Sequence, residues 1–388
     1  MNYLKYLAED VLPYWMKITP DYECGGAFCH FENDGTLRNT DKNVWFQGRA
    51  LWSYSMAYRL CGAKQEYLDI CDVIYKFYDK CTLANGRLPH ITDREGNAKS
   101  IREVYYYSEM FAVMGCAQYY RICKKPEVLK RAEDYFNIVY DLYKKNKYTT
   151  QEIGVDFECK TFGLHMAMLA TTQFIRNVGL DVEKYNKIID EVLDEIRNGG
   201  FINREEKCIN EYVTLQGGTF SGEYGTTCVP GHIYEAAWFV LCEGEVRDDD
   251  EIRELGRILV DYSMPDGFEK ITQVIPTTYD LSKPLEDALC RSYLTWPQQE
   301  AMIAFCLAHN IFGEEKYYEL YKMFEKVVFD YYDRFDGSVW LREMYIENGE
   351  YANSVGRGCH INGPFHFERV LLAIGSLLET GSIISYMS

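Results

Sequence analysis

The sequence predicts an all-α fold, an (α/α)6 barrel in which six helical hairpins form a toroid and minor short strands lie in the loops. Apolar residues recur at three- to four-residue spacing through many segments of ten or more residues, which is typical of amphipathic helices. Residue types that commonly line pockets also recur near successive predicted helix starts, at intervals of 58 to 70 positions. They are Arg49, Tyr107, His165, His232, Trp296 and His366. Each interval holds one helix pair, so the period indicates a repeated supersecondary unit. An open helical solenoid is the alternative that this period leaves open.

The predicted helices follow an amphipathic first segment and divide the chain into regular steps. The 10 prolines and 29 glycines fall mostly between them, which suits helix-to-helix loops. Strand signals are short, at Gly26–Phe31, Gly200–Arg204 and Gly337–Glu343. The helical segments are Val44–Leu60, Tyr67–Tyr78, Tyr106–Ile122, Val128–Tyr143, Phe162–Ile175, Tyr185–Ile196, Ile233–Leu241, Ile252–Tyr262, Tyr293–Phe312, Lys316–Tyr332 and Phe365–Leu378. With the first segment they supply the helices that six hairpins need.

The domain organisation follows from the length and from the absence of a linker. A chain of 388 residues allows either two domains or one large closed architecture. The hydrophobic content of 47% supports a sizeable core. No low-complexity tract, long charge block or Pro/Ser-rich linker divides the chain. We therefore expect residues 1–388 to form a single catalytic (α/α)6-barrel domain.

Charge and cysteine usage exclude several classes of function. The formal net charge of −18 argues against binding to nucleic acid or to an anionic membrane, since both need clustered Lys and Arg. No stretch has the roughly 18 apolar residues of a membrane span, and Met1–Trp15 lacks the pattern of a signal peptide. The 14 cysteines are scattered and form no CxxC pair. These features predict reduced thiols in a cytoplasmic protein, and they remove the commonest signal of a zinc site.

Two of the seven histidines follow a Pro/Gly breaker at a predicted helix start. His232 comes after Pro230-Gly231, with Glu235 three residues later on the same helix face, where a carboxylate can fix the imidazole tautomer and hold its pKa near neutrality. His366 comes after Gly363-Pro364, with Arg369 three residues later. A pair of such groups converging on one cavity can take a proton from one face of a carbon and return it to the other. A helix cap with an ordinary i,i+3 pair is the alternative for His232.

The segment Trp45-Phe46-Gln47-Gly48-Arg49 surrounds an arginine with aromatic residues and a glycine. A guanidinium aimed into an apolar-walled pocket can hold a carbonyl oxygen and the negative charge that develops on it. An arginine that extends its charged end to solvent is the alternative.

The remaining candidates are a lone histidine and an aromatic–carboxylate pair. His165 lies in an otherwise apolar helix, where a satisfied core histidine is the alternative. Trp296 and Glu300 suit a sugar ring and its hydroxyls. The sequence contains no P-loop, no GxGxxG after a strand and no GxSxG elbow.

Read in order, these segments resemble the N-acylglucosamine 2-epimerase family, which includes cellobiose 2-epimerases and aldose–ketose isomerases of mannose-type sugars. The likeness covers most of the chain. Its marks are Asp21-Tyr22-Glu23-Cys24-Gly25-Gly26, Lys42 through Trp45-Phe46-Gln47-Gly48-Arg49, Pro230-Gly231-His232 with Glu235 and Trp238, Trp296-Pro297 with Glu300, and Phe365-His366 with Arg369.

The resemblance implies an (α/α)6 barrel and proton transfer without a cofactor or a metal. It implies that His232 and His366 are the acid/base pair and that Arg49 binds the reacting carbonyl oxygen. Glu235 would orient His232 or share its proton. The substrate-binding residues would be His165, Trp296, Glu300, Trp45, Arg369 and Tyr107, the partner a small-molecule sugar, and the assembly a homodimer as in many members.

Departures from the family pattern bear on the substrate. Many members carry an arginine and an asparagine before the first histidine, where this chain has Thr226 and Val229. We expect an N-acyl-D-glucosamine and N-acyl-D-mannosamine pair, with an unmodified hexose or a disaccharide such as cellobiose as the alternative, by epimerisation or by aldose–ketose isomerisation. A glycoside or unsaturated-uronide hydrolase on the same barrel is a further alternative, and it would need a carboxyl pair at the helix starts.

Overall fold

The computed structural model describes residues 1–32, 35–102, 106–145, 158–179, 181–270, 273–284, 292–332, 343–347, 350–353 and 363–387. Within these ranges six helices form an inner ring, in which each packs on the next and the last packs on the first. They are Val44–Leu60, Tyr107–Cys123, Phe162–Arg176, Pro230–Arg247, Thr295–Phe312 and His366–Thr380. The closed ring confirms the barrel and excludes the open solenoid.

The inner helices are buried on nearly all sides, and small residues let them approach one another. A Cβ atom at Gly48 would lie 2.2 Å from the backbone of Phe111 on the next inner helix. At Gly115 a Cβ would lie 2.6 Å from the carbonyl oxygen of Gly48. Both distances are far below van der Waals contact, so glycine at these two positions is what permits this helix pair to pack so closely.

An outer layer of helices packs against the inner ring. Each outer helix buries one stripe, as in Val182–Asn198, where the buried residues are Tyr185, Ile188, Ile189, Val192, Leu193 and Ile196. The N-terminal segment, Tyr3–Tyr6 and Leu12–Ile18 joined by a π-helical turn, packs on the inner helix His366–Thr380 and completes the sixth hairpin. The other outer helices are Gln65–Cys81, Pro126–Lys144, Asp250–Asp261 and Glu315–Val327.

Short antiparallel strands lead into four of the inner helices. Each of the strands Lys42–Asn43, Lys160–Thr161, Thr227–Cys228 and Ser292–Leu294 ends one or two residues before an inner helix start. In the same order, these strands pair with Ile91–Thr92, Tyr212–Val213, Tyr279–Asp280 and Glu343–Glu347. The first and last of these partners also pair with Ala98–Ser100 and Glu350–Asn353, respectively. A separate strand pair joins Ile202–Asn203 to Cys208–Ile209. These pairings fix the helix starts at one end of the barrel.

The opposite end of the barrel is closed by the C-terminal segment, which contains the short helix Ile384–Met387. The ring of Tyr386 lies 6.2 Å from those of Trp52 and Trp238. The carbonyl oxygen of Met387 accepts hydrogen bonds from Arg121 and Asn177, at the ends of two inner helices. The end that carries the helix starts is therefore the end at which a site can open.

Most predicted helix bounds agree with the structure to within a few residues, and the differences have local causes. The helix predicted from Ile233 begins at Pro230, a residue that fits the first helical turn because that turn does not use its N–H. Tyr293 lies in a strand, and its helix begins at Thr295. The segment Lys316–Tyr332 ends as an α-helix at Val327 and continues as a π-helical turn.

The strand predictions have mixed outcomes. Gly200–Arg204 contains the strand Ile202–Asn203. Gly26–Phe31 forms isolated bridges from Ala27 and Phe31 and not a named strand. Of Gly337–Glu343, only Glu343 is among the described residues, where it begins a strand.

Candidate active site

His232 lies in the first turn of its helix, and its ring is fixed from outside that helix. Its Nδ1 is 3.0 Å from Oε2 of Glu211, which lies between two short strands. The other carboxylate oxygen, Oε1, accepts a hydrogen bond of 3.1 Å from the backbone N–H of Gly163. Burial opposes protonation of His232, but the charge and hydrogen bond of Glu211 outweigh it and raise the pKa of the imidazole.

Glu235 does not orient His232, and that prediction was wrong. Its Oε1 accepts a hydrogen bond of 2.6 Å from Nη2 of Arg369. Arg369 is completely buried, so its charge needs carboxylate partners within reach. Glu235 is drawn to that guanidinium, and it acts on His232 only as a more distant charge that helps to raise its pKa.

His366 begins its helix and belongs to a buried network. Its Nδ1 is 2.8 Å from Oε1 of Glu300 and 3.1 Å from Nη2 of Arg369. Nη2 of Arg369 also lies 2.5 Å from Glu300 and 2.6 Å from Glu235. Because Nη2 carries only two hydrogens, and the two carboxylates at these shorter distances take them, Nδ1 of His366 donates to Glu300. In the neutral ring, Nε2 is then the nitrogen with a free lone pair.

The charges around His366 hold it in that neutral form. Burial lowers the pKa of His366 well below its usual value, and the positive charges of Arg49 and Arg369 lower it further. Glu235 acts in the opposite direction but does not outweigh them. His366 is therefore a neutral imidazole at neutral pH, whereas His232 is shifted toward its protonated form.

The same network resembles a metal site by its residue types. Ligand atoms of Glu235, Glu300 and His366 lie within 4.8 Å of one another. Nη2 of Arg369 contacts all three residues, at 2.5 to 3.1 Å. The guanidinium supplies the positive charge at this position, so we assign no metal to it.

Trp296 joins the two histidines. The centroid of its ring lies 5.6 Å from that of His232 and 5.6 Å from that of His366. Gly231 makes this packing possible, because a Cβ there would lie 2.3 Å from the indole. The structure thus brings His232, His366 and Trp296 together, although their sequence positions span more than 130 residues.

Arg49 is held among aromatic rings. Its guanidinium carbon lies 4.9 Å from the ring centroid of Trp45, 4.3 Å from that of Phe111 and 4.7 Å from that of Phe365. Its side chain is nearly buried, with 8% of the residue exposed, which excludes extension into solvent. The ring centroid of Phe365 also lies 5.0 Å from that of His366, so the guanidinium and the imidazole pack on the same ring.

Tyr107 lies beside the same group. Its ring centroid is 6.1 Å from that of Trp45. Burial raises the pKa of Tyr107, and the negative charges of Glu211 and Glu235 raise it further. Tyr107 is therefore a phenol that keeps its proton beside Trp45.

His165 faces away from this cluster, contrary to its predicted place in the site. Its Nδ1 is 2.9 Å from the carbonyl oxygen of Thr161, and its ring packs on Tyr143 and Phe201. Gly163 faces His232, and a step of two residues turns a helix by about 200°. His165 therefore points toward the outer helices, where burial lowers its pKa to about 4.

Sequence reasoning missed three contacts of the site. Glu211 lies between two short strands, where the sequence has no helical periodicity. It is one of 59 acidic residues, and no local sequence pattern distinguishes it from the others. Gly163, a glycine at the start of an apolar helix, is a weak signal of close approach. Trp238, one of the marks of the family resemblance, donates from Nε1 to Oε2 of Glu300 at 2.8 Å, a contact that its aromatic character does not predict.

Comparison with known proteins identifies the family. A sequence profile described as N-acylglucosamine 2-epimerase (GlcNAc 2-epimerase) matches residues 25–359. The chain belongs to this family. The match confirms the resemblance that the motifs indicate, and the chain is accordingly a sugar 2-epimerase.

Individual relatives are similar along nearly their whole length. N-acylglucosamine 2-epimerase of Mus musculus is 22% identical over 390 residues, with 96% of this chain and 91% of the relative covered. Cellobiose 2-epimerase of Ruminococcus albus is 22% identical over 398 residues, with 95% and 96% covered. The crystal structure of a sugar epimerase from a ruminal bacterium superposes with a TM-score of 0.82 at 18% identity, covering 97% of this chain and 98% of that one. This likeness supports the same fold.

Two general features accompany the site. Among the described residues, no helix combines the length and the apolar character needed to cross a lipid bilayer. The cysteines that the structure describes are free thiols, most of them buried.

Proposed function

We propose that the protein interconverts an N-acyl-D-glucosamine and the corresponding N-acyl-D-mannosamine by moving a proton at C2 between His366 and His232. The observation that carries this proposal is that both imidazoles lie 5.6 Å from the ring of Trp296 while their pKa values are shifted in opposite directions. Two titratable groups whose environments separate their pKa values are the usual signature of an acid and a base.

The first step needs a neutral base beside the open-chain sugar. Nε2 of His366 takes the proton from C2, next to the aldehyde, and the electron pair of that C–H bond forms the C1–C2 double bond of an enolate (an enediolate where C2 carries a hydroxyl group instead of the acylamino group). The negative charge develops on O1, where the guanidinium of Arg49 stabilises it. A donor of this kind contributes on the order of 3 kcal/mol to transition-state stabilisation.

The second step needs an acid on the opposite face of C2. Nε2 of protonated His232 gives its proton to C2, the C1–C2 double bond reopens, and the aldehyde reforms with inverted configuration. The reverse reaction exchanges the roles of the two histidines. Each acid or base contributes about 10² to 10⁴ in rate.

The choice of sugar rests on the family and its relatives. The family description and the mouse relative both name N-acylglucosamine, which favours the N-acyl sugar. The Ruminococcus albus relative is equally similar and is named for cellobiose, so a 2-epimerase of an unmodified sugar or a disaccharide is the second candidate. The same residues would act as an aldose–ketose isomerase if the proton returned to C1 rather than C2.

A glycoside hydrolase on this barrel is disfavoured by the state of the carboxylates. Glu235 and Glu300 both bind Nη2 of Arg369, and Glu300 also binds His366 and Trp238. A hydrolase needs one carboxyl group as an acid and another as a nucleophile or base. Carboxylates engaged with a buried guanidinium do not suit those tasks.

We further propose a single catalytic domain that acts in the cytoplasm and binds neither nucleic acid nor membrane. The free cysteines and the net charge of −18 support these statements. A homodimer is part of the same proposal. Light scattering tests the dimer, for which a monomeric mass would be the contrary result.

The function is tested by proton NMR of the enzyme in D2O with N-acetylmannosamine, N-acetylglucosamine, mannose, glucose, fructose and cellobiose. Loss of the C2 proton signal together with appearance of the 2-epimer of an N-acyl sugar supports the proposal. A ketose product would assign an aldose–ketose isomerase. Epimerisation confined to cellobiose or glucose would assign the second candidate.

A further inference from the structure

We propose that Glu211 is the positioning residue of His232, which it fixes with a proton on Nδ1 so that Nε2 exchanges the proton with the sugar, and that Gly163 provides the space this arrangement needs. The inference rests on the proposed function, because it takes His232 to be one member of the acid/base pair. It adds a residue that comes from neither of the two histidine segments.

The two oxygens of Glu211 have different partners. Oε1 accepts the backbone N–H of Gly163 at 3.1 Å, and Oε2 lies 3.0 Å from Nδ1 of His232. A carboxylate only accepts hydrogen bonds, so Nδ1 is the donor. The backbone bond to Gly163 restricts rotation of the carboxylate, and the direction of the imidazole is thereby tied to the start of the helix Phe162–Arg176.

Gly163 leaves no room for a side chain. A Cβ built on it would lie 2.7 Å from both Cε1 and Nδ1 of His232 and 3.2 Å from Oε1 of Glu211. Distances below 3.0 Å require that something moves. The Nδ1–Cε1 edge of the ring therefore occupies the space that a side chain at position 163 would need, and Nε2 is the ring nitrogen that Glu211 does not bind.

Glu211 is placed so that its charge acts strongly on His232. Its side chain is 4% exposed, whereas that of His232 is 29% exposed. Solvent screens an ion pair weakly when one partner is buried. Glu235, the nearest carboxylate in sequence, is bound to Arg369 instead, so Glu211 is the described carboxylate within hydrogen-bond distance of His232.

The experiment compares Glu211→Gln with wild type by ¹⁵N NMR of labelled histidines without substrate, and by the pH profile of kcat/KM. Gln retains an oxygen that accepts from Nδ1 but lacks the charge. We expect the titration of His232, identified by its absence in His232→Asn, to move down by about 1 to 3 pH units. The alkaline limb of kcat/KM should move down by the same amount. Glu205→Gln, at an exposed position, should change neither.

Two further variants separate positioning from folding. Glu211→Asp keeps the charge, so it should restore most of the titration shift even if the rate stays low. Gly163→Ala should lower kcat by about 10² while the other histidines titrate as in wild type.

An unchanged titration of His232 in folded Glu211→Gln would overturn the inference. A different result concerns the proposed function alone: if His232→Asn epimerised at the wild-type rate while Glu211→Gln still moved the titration, the positioning would stand and the acid/base role of His232 would not.

Discussion

Glu300 accepts the hydrogen bond from Nδ1 of His366 at 2.8 Å, while its other oxygen accepts Nε1–H of Trp238 at 2.8 Å. This pairing decides which nitrogen of His366 is the base, because a proton held on Nδ1 leaves the lone pair on Nε2. Arg369 reinforces it, because its Nη2 gives its two hydrogens to the same Glu300 oxygen and to Glu235 and so has none left for Nδ1.

Glu300→Gln should therefore lower kcat by at least about 10². The amide is uncharged and presents an N–H₂ that competes for the same partners, and Arg369 would then be free to donate to Nδ1 of His366 and place the ring proton on Nε2. Steady-state kinetics measure the loss. Glu319→Gln, at an exposed position of an outer helix, is the matched control. Wild-type kcat in Glu300→Gln would show that the tautomer of His366 is set elsewhere.

Arg49→Lys should lower kcat/KM by about 10² to 10³, chiefly through kcat. The three aromatic rings around Arg49 fit a planar guanidinium, and an ammonium on a thinner stem would not hold the same position. Arg204→Lys, at an exposed position, controls for the change of residue type. A rise in KM with unchanged kcat would mean that Arg49 binds the sugar without acting on the developing charge.

The pH profile of kcat/KM should be a plateau that extends to both sides of the ordinary histidine value of about 6.5. The pKa of His366 is lowered, so the base is lost to protonation only in acid. The pKa of His232 is raised, so the acid is lost only above the ordinary histidine value of about 6.5. The active free enzyme carries one proton on the pair His232 and His366. The acidic limb of the profile marks the gain of a second proton by this pair, and the alkaline limb marks the loss of the first. An alkaline limb at or below the ordinary histidine value would contradict these assignments.

His165→Gln should leave kcat within about threefold of wild type but lower the midpoint of thermal unfolding. The ring fills a buried space between Tyr143 and Phe201, so the change costs packing energy, typically about 1 kcal/mol or more. Differential scanning fluorimetry and initial rates on the same preparation check both parts. A loss of activity with unchanged stability would return His165 to the substrate site.

Glu368→Gln should stabilise the protein in mild alkali. Glu368 is completely buried, and burial raises the pKa of its carboxyl to about 8. The folded state then holds a proton that the unfolded chain releases above about pH 4.3, so stability falls as the pH rises from there through 8. Removing the titration should raise the midpoint of unfolding by about 2 °C or more near pH 9 and less near pH 5. Equal effects at both values would mean that Glu368 does not titrate in this range.

Periodicity and helix-start signals predict the helices and the place of the site, because both depend on local spacing. His232 and His366 were found from Pro/Gly breakers that position residues at helix starts, and the structure places both rings on Trp296. The partners of these histidines depend on tertiary contacts. Glu235 has the correct i+3 spacing, but the buried charge of Arg369 determines where its carboxylate points.

Glu211 could not be found in this way. It reaches His232 from a turn 21 positions away, and the contact exists only because the strand Tyr212–Val213 pairs with Lys160–Thr161 beside Gly163. The prediction that His165 faces the site was wrong for a related reason. His165 does lie near the start of an inner helix, as the period indicates, but its position on the helix directs the ring outward.

The most direct test of two-base proton transfer is hydrogen exchange at C2 in D2O with the single variants His232→Asn and His366→Asn. Each variant should fail to epimerise but should still exchange the C2 proton of one sugar, the one whose proton faces the remaining histidine. We expect the two variants to exchange opposite epimers. Exchange of the same epimer by both variants, or continued epimerisation by either, would contradict it.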